Sequence, residues 1–253
     1  MVVEIACHYG GPRYILRVIP CAKLSSDDLK KFIIKSLQTV GNSGGTIISV
    51  ICDNCRTNLS VFCKLGGPGK VFISSLNISA FLTFDYVHIF KNVRNNWITV
   101  SGQTLVFEIN GVTYRACWSD IVKLYEADRV STLRLTKLTH CSVFPKPLQR
   151  QSVPLVCQVF NDKTVSALET LKSNLSINEG TIVFIKLVTD WFKIMNVKDR
   201  YSAIAARDEL RSPWIEDSRS FDRLYEVCNV ISTCMWQGGR GRVEKLIKQT
   251  QCE

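Results

Sequence analysis

Apolar and polar residues alternate along the first fifty positions in a way that predicts strands and one helix. Two β-rich runs, residues 2–7 and 13–20, flank a turn signal at residues 10–12 and predict a hairpin. The segment 25–28 supplies a serine cap and first-turn acids, and apolar positions with helical spacing follow it. Residues 46–52 form a continuous β-branched run, which predicts a strand buried on both faces. Strand, strand, helix, strand is the order of an α/β layer.

A second amphipathic helix is predicted after a short strand at residues 80–84, and Asp85 is suited to cap it. One face of this helix is apolar and consists of Tyr86, Ile89, Phe90, Val93 and Trp97. The opposite face is polar and consists of His88, Lys91, Asn92 and Asn95. The pattern predicts that the first face packs in the core. For His88, a core position bonded to a backbone carbonyl and a catalytic part both stay open.

The rest of the chain changes to a mostly helical pattern. It begins with a small hairpin, predicted around the turn pair Asn110-Gly111. The helices are predicted at residues 118–127, 131–141, 151–172, 179–197 and 217–236. The last of them is expected to bury a face made of Phe221, Leu224, Tyr225, Cys228 and Ile231. The predicted fold class is thus α/β followed by mostly α.

Charge narrows the choice of partners. Among 253 residues, 32 are Lys or Arg and 22 are Asp or Glu, so the net charge is +10. Such an excess favours polyanions, with nucleic acid first, although scattered surface lysines are the alternative. No apolar run approaches the roughly 20 residues that span a bilayer, and the amino terminus does not resemble a signal peptide. No membrane association is therefore expected.

Two short motifs resemble a zinc site and a phosphate loop but lack part of each pattern. Cys52 and Cys55 have the spacing of half a zinc site, but no second pair follows at a suitable distance. Of the eleven cysteines, Cys52, Cys157 and Cys228 lie inside apolar runs, where a reduced thiol behaves as a small hydrophobic side chain. The glycine-rich segment 66–70 resembles a phosphate loop, yet Lys64 replaces its first glycine and Val71 its Ser or Thr. It is interpreted as an ordinary loop.

Asp53 is the first candidate for chemistry. It follows directly on the apolar run 46–52, and the carboxyl end of a buried strand is where open α/β sheets place ligand and metal sites. Carboxylates hold Mg²⁺, and two such ions can clamp the oxygens of a phosphoryl transfer. The alternative is an ordinary turn aspartate beside Asn54.

A longer motif favours the interpretation of Asp53 as a metal ligand. The segment from Phe84 to Trp97, F-D-Y-V-H-I-F-K-N-V-R-N-N-W, resembles the F-D-x-x-H-x-x-K-x-x-R-N-N signature of P-element and THAP-domain transposases. The order of the surrounding features agrees with that family. Those features are C-D-x-x-x-x-N (Cys52, Asp53, Asn58), the K-L-T-x-x-x-x-x-P-x-P stretch at 137–147, Q-V-F at 158–160 and W-F-K-I-M-N-V-K at 191–198.

The resemblance implies a truncated RNase H-like α/β layer interrupted by a helical, GTP-binding insertion domain with a small β-hairpin. The implied domains are residues 1–97 for the partial RNase H-like part, 98–237 for the insertion, and 238–253 for a basic Gly-rich segment and tail. It also implies a nuclear protein that binds DNA and, as a candidate ligand, GTP. Self-association, or association with a full-length transposase, is a further expectation.

Catalysis in the family uses three carboxylates, and the second matches Asp53. The first would precede residue 1 and the third would follow residue 253, so this chain alone is expected to be catalytically incomplete. The alternatives are an active, Mg²⁺-dependent transposase or nuclease, if the gene extends beyond both ends, and a domesticated, non-catalytic interaction protein.

The resemblance also suggests binding residues. Lys91 and Arg94 are candidate contacts to the DNA backbone, with a solvated polar helix face as the alternative. For GTP, Phe192 and Asn196 match the family pattern, but Lys193 stands where the family has an acid. Lysine only donates, so it cannot pair with the guanine N1–H and N2–H₂ edge. Lys137 is a candidate phosphate contact; in the alternative, Phe192 belongs to the core and Lys193 faces solvent.

Overall fold

The computed structural model describes residues 1–7, 11–21, 23–67, 70–75, 78–99, 104–197, 201–213, 218–237 and 243–245. Contacts within the chain divide it into two compact units, of which the first comprises Met1–Asp85 and the second begins at Tyr86. This division falls on the amino-terminal side of the domain boundary predicted at residue 97. The physical reason is that the helix after Asp85 contributes Phe90 and Trp97 to the core of the second unit.

The first unit contains two small sheets and two helices. Strands β1 (Val2–Ala6) and β2 (Arg13–Val18) pair antiparallel, which confirms the predicted hairpin. Then follow α1 (Ser26–Asn42), β3 (Ser49–Cys52), α2 (Arg56–Gly66), β4 (Phe72–Ser75) and β5 (Ile78–Phe84). The second sheet has the order β3–β5–β4, with β3 parallel and β4 antiparallel to β5.

Strand β3 differs from its prediction. It lies at an edge of its sheet, and exposure alternates along it, with Ile51 65% exposed. The prediction of a strand buried on both faces is therefore wrong, because only one face of this three-stranded sheet is covered. The small core on that face contains Leu37, Phe62, Ile73, Ala80 and Leu82.

The second unit is mostly helical and contains one four-stranded antiparallel sheet. Its elements are α3 (Tyr86–Thr99), β6 (Thr104–Ile109), β7 (Val112–Ala116), α4 (Trp118–Val130), α5 (His140–Val143), a 3₁₀ turn (Leu148–Gln151), α6 (Val153–Cys157), α7 (Asp162–Leu175), α8 (Glu179–Met195), α9 (Ser202–Ala206), a second 3₁₀ turn (Glu209–Arg211), α10 (Arg219–Thr233), β8 (Met235–Gln237) and β9 (Val243–Lys245). The predicted hairpin at Asn110-Gly111 is confirmed, and both residues have positive φ, as a two-residue turn of this kind requires.

This hairpin belongs to a larger sheet than predicted. The order β7–β6–β8–β9 joins it to a strand that follows α10, where the sequence pattern predicted helix as far as residue 236. The buried face of α10 also differs, since Val227 and Val230 are buried while Phe221 and Tyr225 are exposed. The predicted Gly-rich patch at residues 238–242 lies outside the described residues.

Two helix predictions fail where polar side chains hold the backbone. Residues 131–139 are not helical, because the buried Asp128 carboxylate accepts hydrogen bonds from the Leu135 and Thr136 amides at 2.6 and 3.1 Å. The predicted helix 151–172 is broken between α6 and α7. There Asn161 has extended backbone and caps α7, accepting from the Thr164 amide at 3.0 Å.

Helix α8 lies at the centre of this unit. Its Gly180 is packed so closely on β7 that an added Cβ would lie 2.4 Å from the Arg115 carbonyl oxygen, so only glycine fits. The fully buried Asp120 ties α4 to the start of α8 by accepting from the Asn178 amide and the Thr181 hydroxyl, at 3.1 and 2.7 Å. Around it packs an aromatic core that includes Phe90, Trp97, Phe107, Phe160 and Phe184.

Within the part of the chain that the structure describes, no helix is both long and apolar enough to cross a membrane.

Candidate functional site

Asp53 lies where the sequence predicted, directly after β3. Its Oδ1 accepts hydrogen bonds from the Cys55 amide at 3.1 Å and from Asn58 Nδ2 at 2.8 Å. Because β3 and β5 are parallel and pair Cys52 with Phe84, Asp53 and Asp85 follow neighbouring strands at the same edge of the sheet. The Asp85 amide donates to the Cys52 carbonyl at 2.8 Å. The sequence pattern indicated Asp85 only as a helix cap, whereas the parallel pairing shows that Asp85 is a second carboxylate at this edge.

These two carboxylates do not make a complete metal site by themselves. Mg²⁺ requires six oxygen ligands in near-octahedral geometry. Among the described residues there is no group of three or more His, Cys, Asp or Glu side chains that could hold a metal ion. The described residues therefore do not fit a full Mg²⁺ centre, and no catalytic step is derived through one.

Helix α3 places Lys91 and Arg94 away from bulk solvent. Lys91 is 8% exposed and Arg94 is completely buried, so the alternative of a solvated polar face does not hold for these two residues. The reason is that the 3₁₀ turn and α6 pack against α3, and the turn covers the side that carries Lys91 and Arg94. The predicted apolar stripe is confirmed at Phe90 and Trp97, which are fully buried.

The guanidinium group of Arg94 binds the backbone of the 3₁₀ turn. Its Nη2 donates to the carbonyl oxygens of Gln149 and Arg150, at 3.4 and 3.0 Å, and to Asn95 Oδ1 at 3.0 Å. Its Nη1 is buried and has no hydrogen-bond partner among the described residues. Burial, and secondly the charge of Arg150, lowers the pKa of Arg94 to about 10. Arg94 thus remains a cation at neutral pH inside the protein.

The predicted nucleotide residues on α8 lie in a tightly packed region. The Phe192 ring stacks on Phe90, with centroids 3.8 Å apart and an interplanar angle of 9°. Asn196 ends the helix, and its Oδ1 accepts from the Tyr86 hydroxyl at 2.9 Å. Lys137 is exposed on the extended segment after α4. Phe192 is therefore partly a core residue, as the alternative interpretation held.

Lys193 has an unexpected environment. Its side chain is 11% exposed, and Nζ lies 2.8 Å from Asp162 Oδ1 and 3.0 Å from Asp208 Oδ2. Burial by itself lowers the pKa of this amine, but the hydrogen bonds and charges of the two aspartates outweigh burial and raise the pKa. The interpretation of Lys193 as a solvent-facing residue is thus wrong. Instead, Lys193 bridges α7 and the segment before the second 3₁₀ turn.

A cavity of about 550 Å³ was not foreseen from the sequence. Its apolar floor includes Tyr114 and Leu187, and its charged lining includes Asp190 and Arg223. Arg223 donates to Asp190 Oδ2 through Nε and Nη2, at 3.0 and 2.8 Å. Burial raises the pKa of Asp190, and the adjacent Arg223 opposes that rise. Only the distant α8–α10 contact creates this pair, so no local sequence signal marks it.

Comparison with known proteins identifies the class to which this architecture belongs. Residues 87–207 match the family described as TNP-like, GTP-binding insertion domain. Over 174 residues, or 64% of this chain, the sequence is 25% identical to the Transposable element P transposase of Drosophila melanogaster, and the match covers 22% of that protein. The fold is similar to a chain in the solved Drosophila P element transposase strand transfer complex. The TM-score is 0.66 at 20% identity, covering 91% of this chain and 55% of that chain.

The fold is mixed α/β, mostly helical with small sheets, and is similar to part of a P element transposase. This chain is similar to a P element transposase, and its residues 87–207 match a TNP-like GTP-binding insertion domain. It spans about a fifth of the length of the curated relative and about half of the solved chain. The resemblance inferred from the signature around Phe84 to Trp97 is confirmed.

Proposed function

We propose that the second unit binds a guanine nucleotide, GTP, on the surface formed by the ends of α7 and α8. The observation that carries this proposal is the match of residues 87–207 to a GTP-binding insertion domain. Phe192 and Asn196 lie together at the end of α8 and are proposed to face the nucleotide. Lys137, exposed on its extended segment, is the proposed phosphate contact.

The guanine edge needs an acceptor, and Lys193 supplies only donors. We infer that Asp162 provides it. Its side chain is 71% exposed, and one carboxylate oxygen is held 2.8 Å from Lys193 Nζ. A base approaching Lys193 therefore meets a carboxylate that an ion pair with Lys193 already orients. Lysine in the place of the family's acid thus acts as a positioning residue for an acid from another helix.

The test is titration of the 253-residue chain with GTP and ATP. GTP is expected to bind at least tenfold more tightly than ATP, because a buried, unpaired guanine N–H costs roughly 1–3 kcal/mol. Asp162→Asn should lose that preference, while Glu169→Gln, an exposed acid on the same helix, should keep it. Equal affinity for GTP and ATP in the wild-type chain would contradict the guanine assignment, and absence of GTP binding by the folded chain would contradict the function.

DNA binding is the second proposed function. Its support is the net charge of +10 and the likeness to a transposase whose solved structure is a strand transfer complex. Filter binding across a salt series tests the DNA proposal, which fails if no DNA is retained at low salt.

We further propose an RNase H-like identity for the first unit, a nuclear location for the protein, and self-association or association with a full-length transposase. Asp53 is proposed as the carboxylate of the first unit that binds Mg²⁺, with no reaction step assigned to it.

A further inference from the structure

Two buried cations of the second unit, Lys91 and Arg94, have no carboxylate partner among the described residues. Lys91 and Arg94 are 8% and 0% exposed, yet neither makes an ion pair with a carboxylate in the described part of the chain. Elsewhere in this unit the partly buried cations Lys193 and Arg223 are paired with aspartates. Buried charges in proteins are normally paired, because removing an unpaired ion from water is costly. Lys91 and Arg94 on α3 are therefore an exception to this rule.

These cations converge on one short segment. Lys91 and Arg94 are three residues apart on α3, so they share a side of the helix. Lys91 Nζ donates to Gln151 Oε1 at 3.4 Å, and Arg94 Nη2 donates to the Arg150 carbonyl oxygen at 3.0 Å. The Arg150 guanidinium is close enough to lower the pKa of Arg94. Lys91 and Arg94 therefore both contact the 3₁₀ turn Leu148–Gln151, to which Arg150 itself belongs.

The hydrogen-bond partners described for Lys91 and Arg94 are neutral oxygens. Carbonyl and amide oxygens accept hydrogen bonds but do not cancel charge, and Arg94 Nη1 has no acceptor among the residues that the structure describes. A bound anion with several oxygens would supply both the missing charge and the missing acceptor. Arginine pairs with phosphate through two parallel hydrogen bonds, and lysine adds a point charge, so this donor set suits a phosphate group.

We propose that Lys91, Arg94 and Arg150 form a binding site for one phosphate group. Entry is from the side of the 3₁₀ turn, where Gln151 is exposed and Arg150 is half-buried. This site rests on the proposed binding of GTP and DNA, because the phosphate group belongs either to a nucleotide or to the DNA backbone. Arg150 is a member that the sequence motif did not indicate.

The first experiment uses inorganic phosphate as the probe and measures the melting temperature of the 253-residue chain by tryptophan fluorescence. Phosphate should raise the melting temperature of the wild-type chain above that in chloride of matched ionic strength. Lys91→Gln and Arg150→Gln should lose that gain, and Lys163→Gln, an exposed lysine on α7, should retain it. Arg94 is left unchanged because its replacement endangers folding. An equal response to phosphate and chloride in the wild type, or a full phosphate response in both site variants, overturns the site.

The second experiment identifies the source of the phosphate. If it is a nucleotide, Arg150→Gln weakens GTP at least tenfold and leaves the salt dependence of DNA binding unchanged. If it is DNA, the slope of log K against log salt falls by about one for the lost contact, and GTP affinity is unchanged. Wild-type affinity for both ligands in Lys91→Gln and Arg150→Gln overturns the site but leaves the proposed function standing. Loss of GTP preference only in Asp162→Asn, with the phosphate response intact, bears on the guanine assignment alone.

Discussion

Replacing Phe90 with alanine should remove a large part of the stability of the second unit. Phe90 is fully buried, stacks on Phe192 and lies 5.5 Å from the Phe160 ring centroid. A buried aromatic side chain removes roughly 150–250 Å² from water, at about 25 cal/mol per Å². The cavity left behind adds to that loss, and relaxation of the neighbours reduces it. We therefore expect a decrease of about 3–5 kcal/mol in the free energy of unfolding.

Urea denaturation followed by tryptophan fluorescence measures this decrease for one unit. All five tryptophans lie between residues 97 and 236, beyond the Asp85–Tyr86 division, so the signal reports on the second unit. Phe221→Ala is the matched control, because that ring is 48% exposed, and it should cost less than about 1 kcal/mol. An unchanged midpoint in Phe90→Ala, or an equal loss in Phe221→Ala, would refute the assigned packing of α3.

Three further outcomes are expected. Gly180→Ala should destabilise the second unit by roughly 1–3 kcal/mol or more, since the new Cβ would lie 2.4 Å from a backbone oxygen; a neutral effect in the same urea assay would contradict the close α8–β7 approach. Although burial opposes ionisation of Asp128, its hydrogen bonds from Thr136, Leu135 and Arg134 outweigh burial and lower its pKa. Because the pKa of Asp128 in the folded state is below the unfolded value of about 3.9, ionised Asp128 stabilises the fold above roughly pH 4, and this stabilisation is lost as the pH falls. Asp128→Asn should therefore flatten that part of the curve of stability against pH. DNA affinity should decrease steeply with salt and show little sequence preference, whereas affinity that is flat with salt would argue against binding through the basic surface.

The sequence by itself determined much of the local structure and the class of the protein. The turn pair Asn110-Gly111 specified its hairpin, because positive φ at two successive positions is accessible to few other residues. The spacing of Phe90 and Trp97 correctly assigned the buried side of α3. The signature from Phe84 to Trp97 identified the transposase relationship, because its polar residue types at fixed spacing are more specific than any hydrophobic pattern.

Tertiary structure decided the polar contacts that join distant segments. The sequence left open whether Lys91 and Arg94 contact the DNA backbone or lie on a solvated face, and the 3₁₀ turn near residue 150 covers them. Likewise, Lys193 was expected to face solvent or to impair base recognition, and the fold instead holds it between Asp162 and Asp208. Periodicity reports only which side of a helix is apolar. Which polar groups meet across the chain depends on long-range packing, and that packing sets the charge environment of each candidate site.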